Sequence, residues 1–520
     1  MRIRKAKDLA IAVSLANLCF IKIWSFILCK DNSYYSKGPN GIDCAASMLN
    51  VILVGGILWL LIILIRKSNT GLISAFSYTA FFLILVIPLN GIRSLFSLFK
   101  YGNTVSLLGE KGVWIAIILT ASVLFCMLVR WHREAFKLIS TLLLFFIPLV
   151  LTTFLMAGWA LIKQEPKQTF GDKPTAPLVK NRPNSRVVWL VFDEMDQRLT
   201  FTQRPLSLRL PEIDRLRNQA IYATNAFPPA DETLLSLPAL LTGKLVNQAT
   251  PSDADELSIT FSGSREGVRW SYQPDIFLRA RELGFNSGLT GWGLPYCRVI
   301  GDHLNICSWE PDNFINDNQA LDLSGTMLKQ IRVLMETTHY ALFGRTTEIQ
   351  SHIDAYLRIL SSAIKMANNQ DLGVIVAHFP IPHSSFIYDR FANTFVSRGR
   401  GFDGYLDNLA LVNSALGELR RNMEKAGLWE NTTIIMTSDH WWRDSDKFDG
   451  KVDHRVPFLI KLPGQKETAL YEKPFNTVLI HDIILSLLKG EILSPKSLMD
   501  WLDDHRHLID PRPQKIKGVS

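Results

Sequence analysis

Apolar runs crowd the first third of the chain, at roughly residues 9–29, 46–65, 71–89, 113–129 and 138–161. Each is about 17–24 residues long, enough for a helix to cross the roughly 30 Å of a bilayer's hydrocarbon. None carries a polar face at helical spacing, so they do not read as amphipathic surface helices. The first run alone has the length of a signal peptide, but four more follow it. The pattern predicts five transmembrane helices over residues 1–161.

Residues 162–185 carry several prolines and no apolar periodicity, and read as a linker or an irregular first layer. Beyond them, nearly continuous apolar runs alternate with helical segments. RVVWLVF (186–192), LGVIVAH (372–378), TTIIMTS (432–438) and VPFLIKL (456–462) have the pattern of strands buried on both faces. Residues 404–429 form an amphipathic helix leading into the third of these. Alternating β and α elements predict an α/β sheet covered by helices on both faces.

Charge gives the membrane reading a direction. Residues 1–165 hold 16 Lys and Arg against 6 Asp and Glu, while the remainder holds 40 against 42. Arg2, Arg4, Lys5 and Lys7 precede the first run, Arg66 and Lys67 follow the second, and Arg130, Arg133 and Lys137 lie between the fourth and fifth. Five-span threading brings these clusters to one side, which the positive-inside rule makes cytoplasmic. Everything after residue 161 is then expected outside the cytoplasm. The later two thirds lack the basic excess of a nucleic-acid binder, so no nucleic-acid partner is expected.

Ligands of open α/β sheets bind beyond the carboxyl ends of the strands. The first strand runs into Asp193 and Glu194, the second into His378 and then His383, the third into Asp439 and His440. Three such endings at one sheet edge point to a metal site, although Asp also suits turns and helix caps. Thr233 stands where the helix of LLSLPALL would start. By itself it reads as an N-cap. Beside a divalent cation it reads as a nucleophile, because the cation lowers the pKa of a hydroxyl.

The chain resembles the alkaline phosphatase/sulfatase superfamily, and most of all its membrane-bound branch of lipoteichoic-acid synthases and lipid A phosphoethanolamine transferases. The similar segments are FDE at 192–194, T-x-x-S-x-P-A-L-L-T-G at 233–243, H-x-P-x-P-H at 378–383, S-D-H at 438–440 and H-R-V-P-F at 454–458. The resemblance implies a five-helix transmembrane domain followed by a sulfatase-like catalytic domain at 186–505, with a tail at 506–520. It implies one divalent ion, zinc or manganese, bound by Asp193, Thr233, Asp439 and His440, with Thr233 as nucleophile. His383 and His454 would hold substrate across the site, Lys447 and Lys451 competing for His454's role. Trp292 and Tyr296 would line a head-group pocket or simply pack beside a strand end.

A multi-pass protein of the cytoplasmic membrane is therefore expected, moving a head group from a membrane lipid donor to an envelope glycan or lipid acceptor. Two alternatives stand beside it: a sulfate-ester or phosphodiester hydrolase, and a non-catalytic scaffold of envelope assembly. Arylsulfatases modify a cysteine or serine within C/S-x-P-x-R. Here Thr233 occupies that position and Leu237 replaces the arginine, so no formylglycine can form. Outside the cytoplasm, Cys297 and Cys307 are expected to pair as a disulfide rather than remain thiols.

Overall fold

The computed structural model describes residues 2–28, 34–35, 41–67, 72–95, 115, 119, 122, 130–162, 173–180, 183–311, 322–338, 346–396 and 401–510. The chain divides into two compact units. One holds residues 1–33, 38–169 and 319–345, the other 34–37, 170–318 and 346–520.

The first unit is helical: α1 Arg2–Cys19, α2 Ile21–Leu28, α3 Gly41–Lys67, α4 Leu72–Ile84, α5 Val86–Leu95, α6 Arg130–Leu144 and α7 Ile147–Ile162. Two helices are unbroken and long enough to cross a membrane, Gly41–Lys67 and Ile73–Arg93, the latter uniting α4 and α5. The first and fifth predicted spans are not straight helices. Each is a bent pair, by 63° between α1 and α2 and by 43° between α6 and α7. Pro148 accounts for the second bend. It lacks an N–H and its ring crowds the carbonyl four residues back, at Leu144, where α6 stops. The described residues thus supply two spans, or four if each bent pair crosses. The fourth predicted run, 113–129, lies almost wholly outside the described residues. Within the bundle, Thr153 donates to Asn17 Oδ1 over 3.1 Å, and Arg66 pairs with Asp8 at 2.7 Å.

The second unit is built on an eight-stranded sheet: β1 Val187–Asp193, β2 Ile221–Ala223, β3 Asn286–Gly293, β4 Ile306–Pro311, β5 Leu372–Pro382, β6 Thr433–Ser438, β7 Phe458–Lys461 and β8 Ala469–Tyr471. The order across it is β8-β2-β7-β6-β1-β5-β3-β4, with β7 antiparallel to both of its neighbours. Alternation along β1 explains the layering. Val187, Trp189 and Val191 enter one core, while Val188, Leu190 and Phe192 enter the other. β5 does the same, with Val374 and Val376 on one face and Ile375, Ala377 and Phe379 on the opposite face.

Two pieces of chain cross-stitch this unit. Residues 173–180 lie along it, Lys173 N–H donating to Cys297 O over 2.8 Å and Ala176 N–H to Leu304 O over 2.7 Å. Tyr34, from the segment between α2 and α3, is wholly buried in its core, and Arg298 donates to its carbonyl. Cys297 and Cys307 are joined by a disulfide with Cα atoms 5.6 Å apart.

Candidate active site

The register of the central strands assembles the site. Phe192 pairs with Ser438 on one side and Phe379 on the other, so Asp193 and Asp439 leave the sheet as neighbours. Ser438 fastens the two strand ends together. Its hydroxyl lies 2.6 Å from Phe192 O and accepts from Met195 N–H at 2.8 Å. Glu194 follows Asp193 in the left-handed region, at φ 64°, which few non-glycine residues adopt. Tyr405, on the helix Gly401–Lys425, stabilises this turn by donating to Glu194 O and accepting from Asp196 N–H. The same ring stacks on Trp442 at 3.9 Å, so one side chain supports both the β1 and β6 exits.

Asp193, Asp439 and His440 are all buried, with ligand atoms close enough to share one cation. His440 Nε2 is 3.4 Å from Asp193 Oδ1, 3.6 Å from Asp439 Oδ2 and 3.3 Å from Thr233 Oγ1. Its Nδ1 faces Trp441 O at 2.9 Å. A carbonyl only accepts, so Nδ1 carries the hydrogen and Nε2 points its lone pair at the cluster. That is the tautomer a ligating imidazole needs. Burial pushes the His440 pKa down to about 4, leaving the ring neutral at pH 7. Both carboxylate oxygens of Asp439 are buried without a hydrogen-bond partner. A lone buried carboxylate is costly, and a divalent cation would offset that cost. The donor set, two carboxylates, an imidazole and a hydroxyl, fits such an ion.

Thr233 is half-buried and is the first residue of the helix Thr233–Thr242, whose N-cap is Glu232. Its hydroxyl therefore sits at the positive end of a short dipole.

His378 belongs to the same centre. It is fully buried, and burial pushes its pKa down to about 4. Nδ1 lies 2.9 Å from the Tyr296 hydroxyl and 3.2 Å from Trp292 O, while Nε2 lies 3.9 Å from Asp193 Oδ2. Tyr296 is buried and backs His378 from the core, so it does not line a pocket. Gly291 makes room for this pair: a Cβ there would stand 2.6 Å from the Tyr296 ring.

Half-buried His383 lies against Trp292, a buried residue of the core, with ring centroids 5.2 Å apart. His383 Nε2 accepts from Arg443 Nη2 at 3.2 Å, and Arg443 Nε donates to Glu194 Oε1 at 2.5 Å. Burial would lower the Arg443 pKa, but Glu194, then Asp193 and Asp439, outweigh it and hold the guanidinium above its ordinary value. Half-buried His454 lies against Trp441 at 4.3 Å. Lys447 is spent on Asp444 at 2.5 Å, on the surface. Sequence reasoning passed over Arg443, whose signal was its place three residues beyond His440 on the same strand exit.

A curated relative, the ulvan-active sulfatase of Formosa agariphila, is 23% identical over 353 residues, 61% of this chain. The chain spans 62% of that relative's length. Among solved structures, a phosphonate monoester hydrolase of Agrobacterium radiobacter is 16% identical (59% of this chain, 74% of that one, TM-score 0.39). A protein in the alkaline phosphatase superfamily from Vibrio parahaemolyticus is 14% identical (60% and 68%, TM-score 0.38). The Sulfatase family model matches residues 185–490, more than half of the chain, and the protein belongs to that family.

Proposed function

We propose that this is a membrane-anchored phosphoester transferase or hydrolase that uses Thr233 as its nucleophile, outside the cytoplasm. The observation that carries the reading is the 3.3 Å approach of Thr233 Oγ1 to the lone-pair nitrogen of His440, at a buried cluster with an unsatisfied carboxylate. Asp193, Asp439, His440 and Thr233 would hold one zinc or manganese ion, which when bound supplies charge that lowers the hydroxyl's pKa and screens the phosphoryl oxygens.

The remaining steps fall to the chain. Thr233 Oγ forms a bond to phosphorus as the bond to the leaving oxygen breaks, giving a phosphothreonine. The departing oxygen takes up, through solvent, the proton that the Thr233 hydroxyl gives up. A glycan or lipid hydroxyl, or water, then attacks phosphorus as the bond to Thr233 Oγ breaks, and the proton it loses returns through solvent to Oγ, restoring the Thr233 hydroxyl. Arg443, aimed by Glu194, holds the anionic oxygens in place, and His383, backed by buried Trp292, stands beside it.

Charge supports an external site: Arg66 and Lys67 close α3, on the side that the positive-inside rule makes cytoplasmic. A reporter fused after residue 170 should be active outside the cytoplasm only.

Sulfate-ester hydrolysis is the second reading, favoured by the family match at residues 185–490. Threonine cannot become formylglycine, so this route would require direct attack by Thr233 or water. Incubation with candidate phospholipids, then mass spectrometry of the Thr233 peptide, tests the first reading. A head-group phosphate adduct on Thr233 is expected. Turnover of a sulfate ester without any adduct, undiminished in Thr233→Ala, would favour the second.

A further inference from the structure

Residues 322–338 lie in sequence between β4 and the helix Thr346–Ala367 but group with the helical unit. Its helix, α8 Leu323–Thr338, packs against α3 and α5. Thr326, Gln330 and Val333, spaced at helical intervals, are buried, and Ile331 and Leu334 pack on the bundle core.

The contact is keyed by polar groups. Asn50 of α3 donates to Gln330 Oε1 at 3.0 Å and to Met327 O at 3.1 Å, and Gln330 donates to Asp43 O at 3.1 Å. Asn50 is nine residues into α3, about 13 Å from its start at 1.5 Å per residue. An amide at that depth in an apolar helix needs a partner, and α8 supplies it.

The opposite edge of α8 is not the polar surface that water would favour. Leu328 is 72% exposed and Met335 58%, one heptad apart and therefore on one line, with Arg332 between them. The helices it packs against also carry exposed apolar side chains: Ile52 and Leu53 of α3 and Leu89 of α5 are more than half exposed. Apolar side chains with an interspersed cation are the composition of a helix lying in a membrane interface.

We propose that α8 is a membrane-seated arm: an insertion in the hydrolase sequence that docks on the spans through Asn50 and Gln330 and presents Leu328 and Met335 to lipid. The inference rests on the reading of α3 and α5 as membrane spans, and is independent of the reaction catalysed.

The test uses the full chain in phosphatidylethanolamine/phosphatidylglycerol vesicles, with Cys19, Cys29, Cys44 and Cys126 replaced by Ala. Bimane on Leu328→Cys or Met335→Cys should be quenched by doxyl-labelled lipid and shielded from iodide, as should the span control Ile52→Cys. An Asn50→Cys/Gln330→Cys pair should cross-link within one chain on oxidation. Quenching of Ile52→Cys without Leu328→Cys would overturn the arm and leave the spans intact. Cross-linking of Leu328→Cys between chains would make the edge a contact between copies and overturn it equally. If Ile52→Cys is not quenched, the span reading fails and the arm with it.

Discussion

Arg443 and Glu194 form a charge-assisted bond of 2.5 Å between the loops that leave β6 and β1. Glu194 is buried, whereas about half of the Arg443 side chain is exposed, so the pair aims a cation from a fixed anchor toward the open side of the site. Arg443→Ala should lower kcat/KM by about 10²-fold, the scale of losing one donor to developing charge. Arg443→Lys should recover only part, since an ammonium cannot bridge Glu194 and an anion in the same planar geometry. Unchanged kcat/KM in Arg443→Ala would remove the residue from substrate binding.

Metal occupancy and nucleophilicity separate by substitution. Asp439→Asn removes one of two cluster carboxylates, and should lower bound zinc or manganese, measured by elemental analysis, together with activity. Thr233→Ala leaves Asp193, Asp439 and His440 and should retain much of the metal while losing turnover. Metal at 100 times its Kd stabilises the native state by about 2.7 kcal/mol. A chelator should therefore lower the Tm of the parent and of Thr233→Ala, but have little effect on Asp439→Asn. Equal metal content in Asp439→Asn and parent would count against this ligand set.

Much of this site was legible in the sequence because its residues follow apolar runs. Asp193 and Asp439 each end or follow a strand of four or more consecutive buried residues, a pattern that survives without neighbours. β3 was not legible. Asn286–Gly293 reads NSGLTGWG, with no apolar run, and becomes a strand through what surrounds it: Gly288 faces Met366 and Leu372, and Gly291 faces Tyr296. His378 was visible but had no role, because its bond to Tyr296 joins residues 82 apart. The arm α8 was hidden for a similar reason. Its sequence is amphipathic, and only Asn50, nearly 300 residues earlier, explains its buried Gln330.

The disulfide offers a stability test. Cys297 and Cys307 are 10 residues apart, and closing so short a loop is worth about 2–3 kcal/mol by the loop-entropy relation. Replacing both by Ser should lower the Tm of the detergent-solubilised protein, and a reductant should lower that of the parent similarly. No change in either would mean that the native state gains nothing from the link.

Asp196 gives the stability of the sheet unit a pH signature. Burial raises its pKa from 3.8 to about 6, against the lowering effects of the Leu199 N–H and the Arg198 guanidinium. The folded protein therefore binds this proton more tightly than the unfolded chain. Its contribution is most favourable below about pH 4 and is lost as pH rises through about 6. At 1.36 kcal/mol per pKa unit the swing is on the order of 3 kcal/mol. Asp196→Asn cannot ionise, yet keeps an oxygen for the Leu199 N–H, which donates to Asp196 Oδ1 at 2.9 Å. Arg198 retains Asp449 at 2.9 Å and Asp453 at 3.6 Å. Relative to the parent, the variant should gain stability between pH 4 and pH 7, read as a Tm difference that widens with pH. Carboxylates outside this cluster whose pKa values are depressed, such as Glu212 and Asp503, act in the opposite direction but cancel in the difference. Parallel Tm curves for the two proteins across that range would show that Asp196 is ionised in the native state throughout.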